Sequence, residues 1–549
     1  GAMLRRLFSH RGLTAAVGAA AGALTLPSAC EQRSATGVPP AAAAAADALP
    51  IYSKAEVAKH TTSESGIWVV FAGDVYDITS FVQNHPGGME KIMTAAGGEV
   101  EPYWSLYRQH LQPSSPGQGP RPKAHVAEIL APLLIGRVDP AEMAAAAAAK
   151  RGRPADDPYA HEPERHAALR LLSETPCSGE SPQTLVLDNW TTPNALFFVR
   201  NHHPVPRLDP ATFSLRVDGL GVTARDFSMK DLEAMPKAEV VATLQCGGNR
   251  RGGLDAHQRT SGNSWGSGAI SNAKWGGVYL RDLLLECGLT SPLKAGVAHV
   301  QFEGEDGTKA SIPASKAFSE YGDVLLAYEM NGEPIPADHG YPLRAVVPGH
   351  VGVRNIKWLR KVVASDEEAE GVWQRGIAYK SFGPNVTSLE GLDVEKAAAM
   401  QEMPVQSVIV SPVAHTALDS GEDMTLKGFA WSGGGRGITR VECSADDGRS
   451  WHTATLTQGA DQPRERAWAW TFWECEVPMP KAVSDGEGEG ASGKGAAPGG
   501  PLTLMCRAVD ASFNSQPADV AQVWNLRGLA NNAWHRVPVT LQPEASEDA

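Results

Sequence analysis

Apolar and polar positions alternate in three different ways along the chain. From about Leu49 to Val138, a strand-like "GDVYDIT" sits among helix-spaced runs, "YWSLYRQH" and "HVAEILAPLLIG". This mixture predicts a small unit of strands and helices. From about Arg165 to Ala398, strand-like runs ("EVVATLQC", "AHVQFEG", "LRAVVPG") are interspersed with helical ones such as "LRDLLLECG", which predicts a mixed α/β unit. After "PVQSVIVSPVAHTAL" the period shortens to two in "MTLKGFAWSG", "ITRVECSADDGRSW" and "LTLMCRAVD", as expected of a β-sandwich. Within these last strands Cys443 is in phase with Val441 and Ala445, and Cys506 with Leu504 and Ala508. Both thiols are therefore expected on the inward face, packed rather than joined as a disulfide.

Stretches without periodicity separate these units. Residues 31–48 are rich in Ala and Pro, and "DPAEMAAAAAAKRGRPADDPYAHEPE" (139–164) opens on a possible helix that "RGRPADDP" breaks, so it is expected to be a flexible linker. "SDGEGEGASGKGAAPGG" is low-complexity and is expected to be a surface insertion of the sandwich. The expected division is 1–48 leader, 49–138, 139–164 linker, 165–400 and 401–545. Gly1-Ala2-Met3 looks like a cloning scar. Arg5, Arg6 and Arg11 then precede an apolar run from about Leu13 to Leu26, with no acid before Glu31. That run is shorter than the roughly 20 residues of a membrane span. The segment reads as a targeting peptide, either a mitochondrial presequence with sorting to the intermembrane space or a twin-arginine signal for the bacterial periplasm; the plainer alternative is a disordered leader. No later segment is expected to span a membrane.

Composition narrows the function classes. At 549 residues, the chain exceeds one hydrophobic core and should hold roughly three or four domains. Its 49 Lys+Arg against 62 Asp+Glu give a net charge of −13, which argues against a nucleic-acid partner. A few arginines in that background can still steer a small anion. None of the seven cysteines forms a CxxC pair, so zinc-ribbon and thioredoxin-like chemistry have no support.

Two motifs point to chemistry. In "DVYDITSFVQNHPGGMEKIM", His85 stands in a Pro-Gly-Gly turn before a helix, and "YWSLYRQH" supplies His110 further on. Two imidazoles on facing walls can ligate haem iron, with the glycines letting the backbone pass close to the macrocycle. His125, after the long "LQPSSPGQGPRPKA", is a rival second ligand. In "TLQCGGNRR", Cys246 adjoins Arg250 and Arg251. Neighbouring guanidiniums favour a thiolate, which is a nucleophile or a soft-metal ligand; a buried structural cysteine is the alternative.

The first unit resembles cytochrome b5. "TPNALFFVRNHHPVP", "SWGSGAISNAKWGGV", "LLAYEMNGEPIPADHGYPLRAVVPGHVGVRNIKWL" and "WQRGIAYKSFGP" around "QCGGNRR" closely resemble the molybdenum-cofactor domain of the sulfite oxidase family. The likeness continues through "GFAWSGGGRGITRVECSADDGRSW" and "VWNLRGLANNAWHRV". The resemblance implies a multidomain α+β chain: an N-terminal cytochrome b5-like haem domain, a central mixed α/β molybdenum-cofactor domain and a C-terminal Ig-like β-sandwich dimerisation domain. It implies haem b between His85 and His110, and molybdenum-molybdopterin with Cys246 on the metal. Phe198, Val199, Arg200, Asn201, His202, Asp306, His339, Arg344, Asn355, Ile356 and Lys357 would hold that cofactor, with Arg344 and Lys357 on its dianionic phosphate. Arg200, Arg251 and Arg527 would form the anion pocket, Trp265 a wall, and Tyr379 a hydroxyl near the metal. The implied activity is oxidation of sulfite to sulfate, with electrons leaving through the haem to cytochrome c, in a homodimer. The rivals are a nitrate-reductase-like molybdenum enzyme, a family that places its haem domain after the sandwich and adds a flavin domain, and a haem electron carrier on an inactive molybdenum scaffold. A chain ending at 549 is expected to leave no room for the flavin unit.

Overall fold

A computed structural model describes residues 49–86, 88–107, 110–112, 121–149, 157–480 and 501–542. The expected leader, most of "LQPSSPGQGPRPKA" and the low-complexity insertion lie outside the described residues. By its contacts the chain divides into 1–50 and 51–549, and everything below concerns the second part.

The first unit is built on a six-stranded sheet. Strand Gly66–Phe71 pairs antiparallel with Asp74–Asp77, which in turn pairs with Leu134–Val138. Residues Ile67, Val69 and Phe71 point one way, onto Tyr76, Ile78, Val126 and Leu130, as a period-2 strand dictates. Val70 and Val75 point the other way, against Val57 and Val138. The helix Pro140–Ala149 returns to this second cluster through Met143, and Glu142 accepts a bond from Lys54 N at 2.7 Å. The first part of the expected flexible linker is thus helix tied to the haem unit. The reason is local: an Ala run has the highest helix propensity, and one apolar side chain gives it a face to bury.

Two five-stranded sheets form the second unit. One runs Arg225–Phe227, Leu215–Gly219, Leu359–Ser365, His299–Gly304, Lys309–Pro313; the other runs Ala238–Gln245, Ile270–Tyr279, Leu325–Met330, Glu333–Pro334, with Arg344–Val346 also on Leu325–Met330. A core that includes Leu215, Val217, Phe227, Val300, Phe302, Leu326 and Val347 joins them, together with the helix Leu280–Glu286. The third unit is a sandwich of a four-stranded and a five-stranded sheet. Cys443 and Cys506 are register partners on neighbouring strands, both fully buried, and both are free thiols. Among the described residues no helix is long and apolar enough to cross a membrane.

Candidate functional site

The structure brings His85 and His110 opposite one another, with ring centroids 6.1 Å apart and planes within 7° of parallel. His85 Nδ1 lies 3.0 Å from the Gly88 carbonyl, so Nδ1–H donates there and Nε2 keeps its lone pair. His110 stacks on Trp104 at 5.1 Å, and its Nδ1 is buried without a partner. Burial, followed by the nearby His85, pushes the His110 pKa down and favours the neutral, ligating form. Metal–imidazole bonds of about 2 Å on each side suit one iron between these rings, so the pair fits a haem. His125 is exposed at the second residue of the helix Ala124–Leu130.

Strand Ala238–Gln245 delivers Cys246 to the wall of a cleft. Gly247 and Gly248 follow because the turn has no room for side chains. A Cβ on Gly248 would lie 2.7 Å from the Arg251 guanidinium, and one on Gly247 would lie 3.2 Å from the Tyr379 ring. The Gly248 N–H points at Cys246 Sγ at 3.5 Å. A bridge from Gln245 to Val351 places the turn Gly352–Arg354 against the same wall. Of the expected residues, the cleft is lined by Phe198, Arg200, His202, Cys246, Asp306, His339, Arg344, Asn355, Ile356, Lys357 and Tyr379.

The electrostatics of the cleft are one-sided. Three cations, Arg200, Arg344 and Lys357, line it against one carboxylate, Asp306, which Thr308 and His203 already engage. Burial pushes Arg344 down to about 9 and Lys357 down to about 7. Burial also takes His339 to about 3 and holds His202 well below the usual histidine range. Arg344 donates to the carbonyls of His339 (2.7 Å), Asn355 (3.0 Å) and Ala345 (3.3 Å), which leaves two of its five N–H groups unspent. Lys357 donates to Asp338 O (2.7 Å), Arg200 O (3.3 Å) and Asn201 Oδ1. Wholly or partly buried, mutually repelling cations beside a thiol fit a ligand that carries a multiply charged phosphate and a soft metal. Burial pushes the Tyr379 phenol up to about 12, with Cys246 adding to the shift, so it stands as a neutral donor in the same cleft.

Other expected residues stand outside the lining. Val199 is buried on a strand edge, and Asn201 lies behind Lys357. Trp265 is 1% exposed, a core side chain packed in the cluster that holds Cys246. Arg251 donates from Nε, Nη1 and Nη2 to the carbonyls of Gly528, Asn263 and Arg527, which leaves two of its five N–H groups unspent, as in Arg344. Arg250 turns toward Trp534 O. Arg251 thus braces the loop that carries Arg527, while Arg250 Nη1 is buried without a partner. Arg527 bonds Ser261 and has a buried, unpartnered Nε.

Sequence reasoning missed the residues that hold this lining from behind. Arg354 is fully buried and donates to Met400 O (3.0 and 2.8 Å), Trp373 O (2.9 Å) and Gln374. It thereby pins the loop on which Tyr379 O accepts Met400 N at 2.8 Å. The apolar setting of "GVRNIKW" was the available signal, since a charge in such a run needs buried partners.

Comparison with known proteins agrees with this geometry. The model of the Oxidoreductase molybdopterin binding domain matches residues 202–373, the Mo-co oxidoreductase dimerisation domain matches 397–489 and 495–542, and the Cytochrome b5-like Heme/Steroid binding domain matches 53–139. The chain is 44% identical over 509 residues to "Sulfite oxidase, mitochondrial" of Homo sapiens, covering 91% of this chain and 86% of that one. It is 44% identical over 498 residues to "Sulfite oxidase" of Gallus gallus, covering 89% and 100%. The solved sulfane dehydrogenase SoxCD of Paracoccus pantotrophus superposes with a TM-score of 0.54 at 26% identity, covering 72% of this chain and 96% of that one.

Proposed function

The chain belongs to the sulfite oxidase family, and from that premise we propose which of its residues carry the reaction and where the electrons go. The enzyme oxidises sulfite to sulfate at a molybdenum-molybdopterin centre and passes electrons to a b-type haem. The bound molybdenum group supplies oxygen-atom transfer and a two-electron store, and the haem takes electrons one at a time. Cys246 provides the thiolate that the metal needs. Arg344 and Lys357 hold the cofactor's terminal phosphate, Arg344 through its two unspent N–H groups and Lys357 by exchanging the long bond to Arg200 O. His339, kept neutral, and His202 line the pterin end. Arg200 meets the sulfite oxyanion, whose oxygen rim suits a guanidinium fork. Arg527 adds charge from a loop that Arg251 fixes, and Tyr379 donates its phenolic proton to substrate oxygen. His85 and His110 ligate the haem iron.

The observation that carries this reading is the cleft in which Cys246 shares a wall with three cations offset by one carboxylate. Adding sulfite to the oxidised enzyme should reduce the haem band. Nitrate should not reoxidise the reduced enzyme; reoxidation by nitrate would return the nitrate-reductase reading.

The natural acceptor is cytochrome c, and the compartment is the mitochondrial intermembrane space. A chain of net charge −13 attracts a basic electron carrier, and two of the features above support the setting: a basic then apolar leader, and a relative named mitochondrial. Reduction of cytochrome c should slow as salt rises. A reporter fused behind residues 1–48 should reach that compartment. Two chains pair through the sandwich, which matches the dimerisation-domain model.

A further inference from the structure

A buried ion network lies directly behind Lys357, and no role described so far uses it. Arg165 Nε and Nη2 donate to the two oxygens of Asp338, each at 2.9 Å, and Nη2 also meets Glu162. Asn201 Nδ2 donates to Asp338 Oδ1 at 2.8 Å, while its Oδ1 accepts from Lys357. Glu162 Oε1 accepts Val205 N at 2.9 Å. The side chains of Glu162, Arg165 and Asp338 are 11%, 13% and 8% exposed. Lys357 touches Asp338 only at its backbone carbonyl, never at the carboxylate.

That arrangement is chemically specific. Asp338 is the acid that acts most strongly on a lysine that the terminal phosphate needs, and a free carboxylate there would compete with the phosphate as counter-ion. The Arg165 fork occupies both oxygens bidentately. Burial alone would raise the Asp338 carboxyl, but its bonds and attraction to Arg165, then Lys357, outweigh it and keep the carboxylate ionised.

We propose that Arg165 is a positioning residue for the molybdenum cofactor: by holding the Asp338 carboxylate it leaves Lys357 available to the cofactor's phosphate. This rests on the reading that Lys357 and Arg344 take that phosphate. The same segment grips the haem unit. His166 Nδ1 accepts Ala168 N at 3.1 Å, so its Nε2 carries the proton and donates to Pro102 O at 2.9 Å. Pro102 lies in the helix that carries Trp104, the ring stacked on His110. One turn of chain therefore braces the cofactor cleft on one side and the haem unit on the other.

The test measures molybdenum and pterin per haem in purified full-length protein, before and after prolonged dialysis, with the haem band as the internal count of folded chains. Arg165→Met should lose cofactor about 10–100-fold faster than wild type, the range for support residues of metal sites. Arg165→Lys, which keeps the charge, should retain most of it and covers the case in which the Met variant fails to accumulate. Adding Asp338→Asn to Arg165→Met should restore retention, because the competing carboxylate is gone; a residue that only supports the fold would make the double variant worse. Full retention in Arg165→Met, a Lys variant as poor as Met, or no rescue in the double variant overturns the proposal. Lys357→Met separates the two levels. If it keeps its cofactor, the phosphate assignment itself is wrong. If it loses cofactor while Arg165→Met does not, only the role of Arg165 falls.

Discussion

The haem site and the molybdenum cleft solve opposite problems. The haem pair consists of two imidazoles, one oriented by a local carbonyl and the other by a stacked tryptophan. It gathers no cluster of fixed charges, and its main cost is the burial of His110. The cleft gathers Arg200, Arg344 and Lys357 with one carboxylate, and burial depresses the pKa of both Arg344 and Lys357. Empty, it is electrostatically unfavourable. The difference teaches that the molybdenum cofactor is part of the fold's charge balance, whereas the haem is received by a preformed seat.

The sharpest break of this comparison is at the metals. Cys246→Ser should lower sulfite oxidation by more than the roughly 100-fold that support residues of a metal site cost, with haem absorbance intact; steady-state assay and spectrum together check it. His85→Ala or His110→Ala should abolish the bis-histidine spectrum and spare sulfite oxidation by an artificial acceptor that draws on molybdenum directly. His125→Ala should leave the spectrum unchanged, and loss of the spectrum there would move the second ligand.

A middle-sized effect tests the charge imbalance. In protein prepared without the molybdenum cofactor, Lys357 holds its proton to about 7, against an ordinary value of 10.5. Between these values the unfolded chain binds a proton that the fold does not, so stability contributed by this site rises with pH through that window and is lowest below it. The stability of wild type minus that of Lys357→Met should therefore grow by on the order of 5 kcal/mol from neutral pH to the top of the window. Denaturant melts at several pH values measure it, and the pH trend should vanish in the cofactor-loaded enzyme.

The smallest effects sit between and outside the two sites. Lys91 and Asp188 form a 2.6 Å pair between the haem unit and the segment Gln183–Asp188, while Tyr103 packs on Ala168, Leu185 and Leu196. Asp188→Asn should weaken this seat by about 0.2–1 kcal/mol, read as a several-fold change at most in the rate of molybdenum-to-haem transfer, with the salt dependence reduced. Reductant should leave the melting temperature unchanged, since the six described cysteines are free.

Legibility followed the same divide. The candidate haem ligand His85 was readable because "NHPGG" keeps its chemistry within a few residues, and His110, which follows the helix Glu101–Tyr107, is the ring that lies opposite it. The strand ending in Cys246 was readable from its apolar run. The bracing by Arg251 was not: adjacency to a cysteine suggested a charge partner, while two of its nitrogens also reach carbonyls of residues 527 and 528, far along the chain. By itself the sequence determined the order of the three units, the periodicity of their strands, and the residue types able to hold iron, molybdenum and an anion, because these depend on local spacing and chemistry. Only the tertiary structure decided which charges face the cleft and which are consumed behind it. Arg165 and Asp338 are 173 positions apart, and no local pattern records a partner that the fold alone brings within hydrogen-bond distance in a space too dry to leave either charge unpaired.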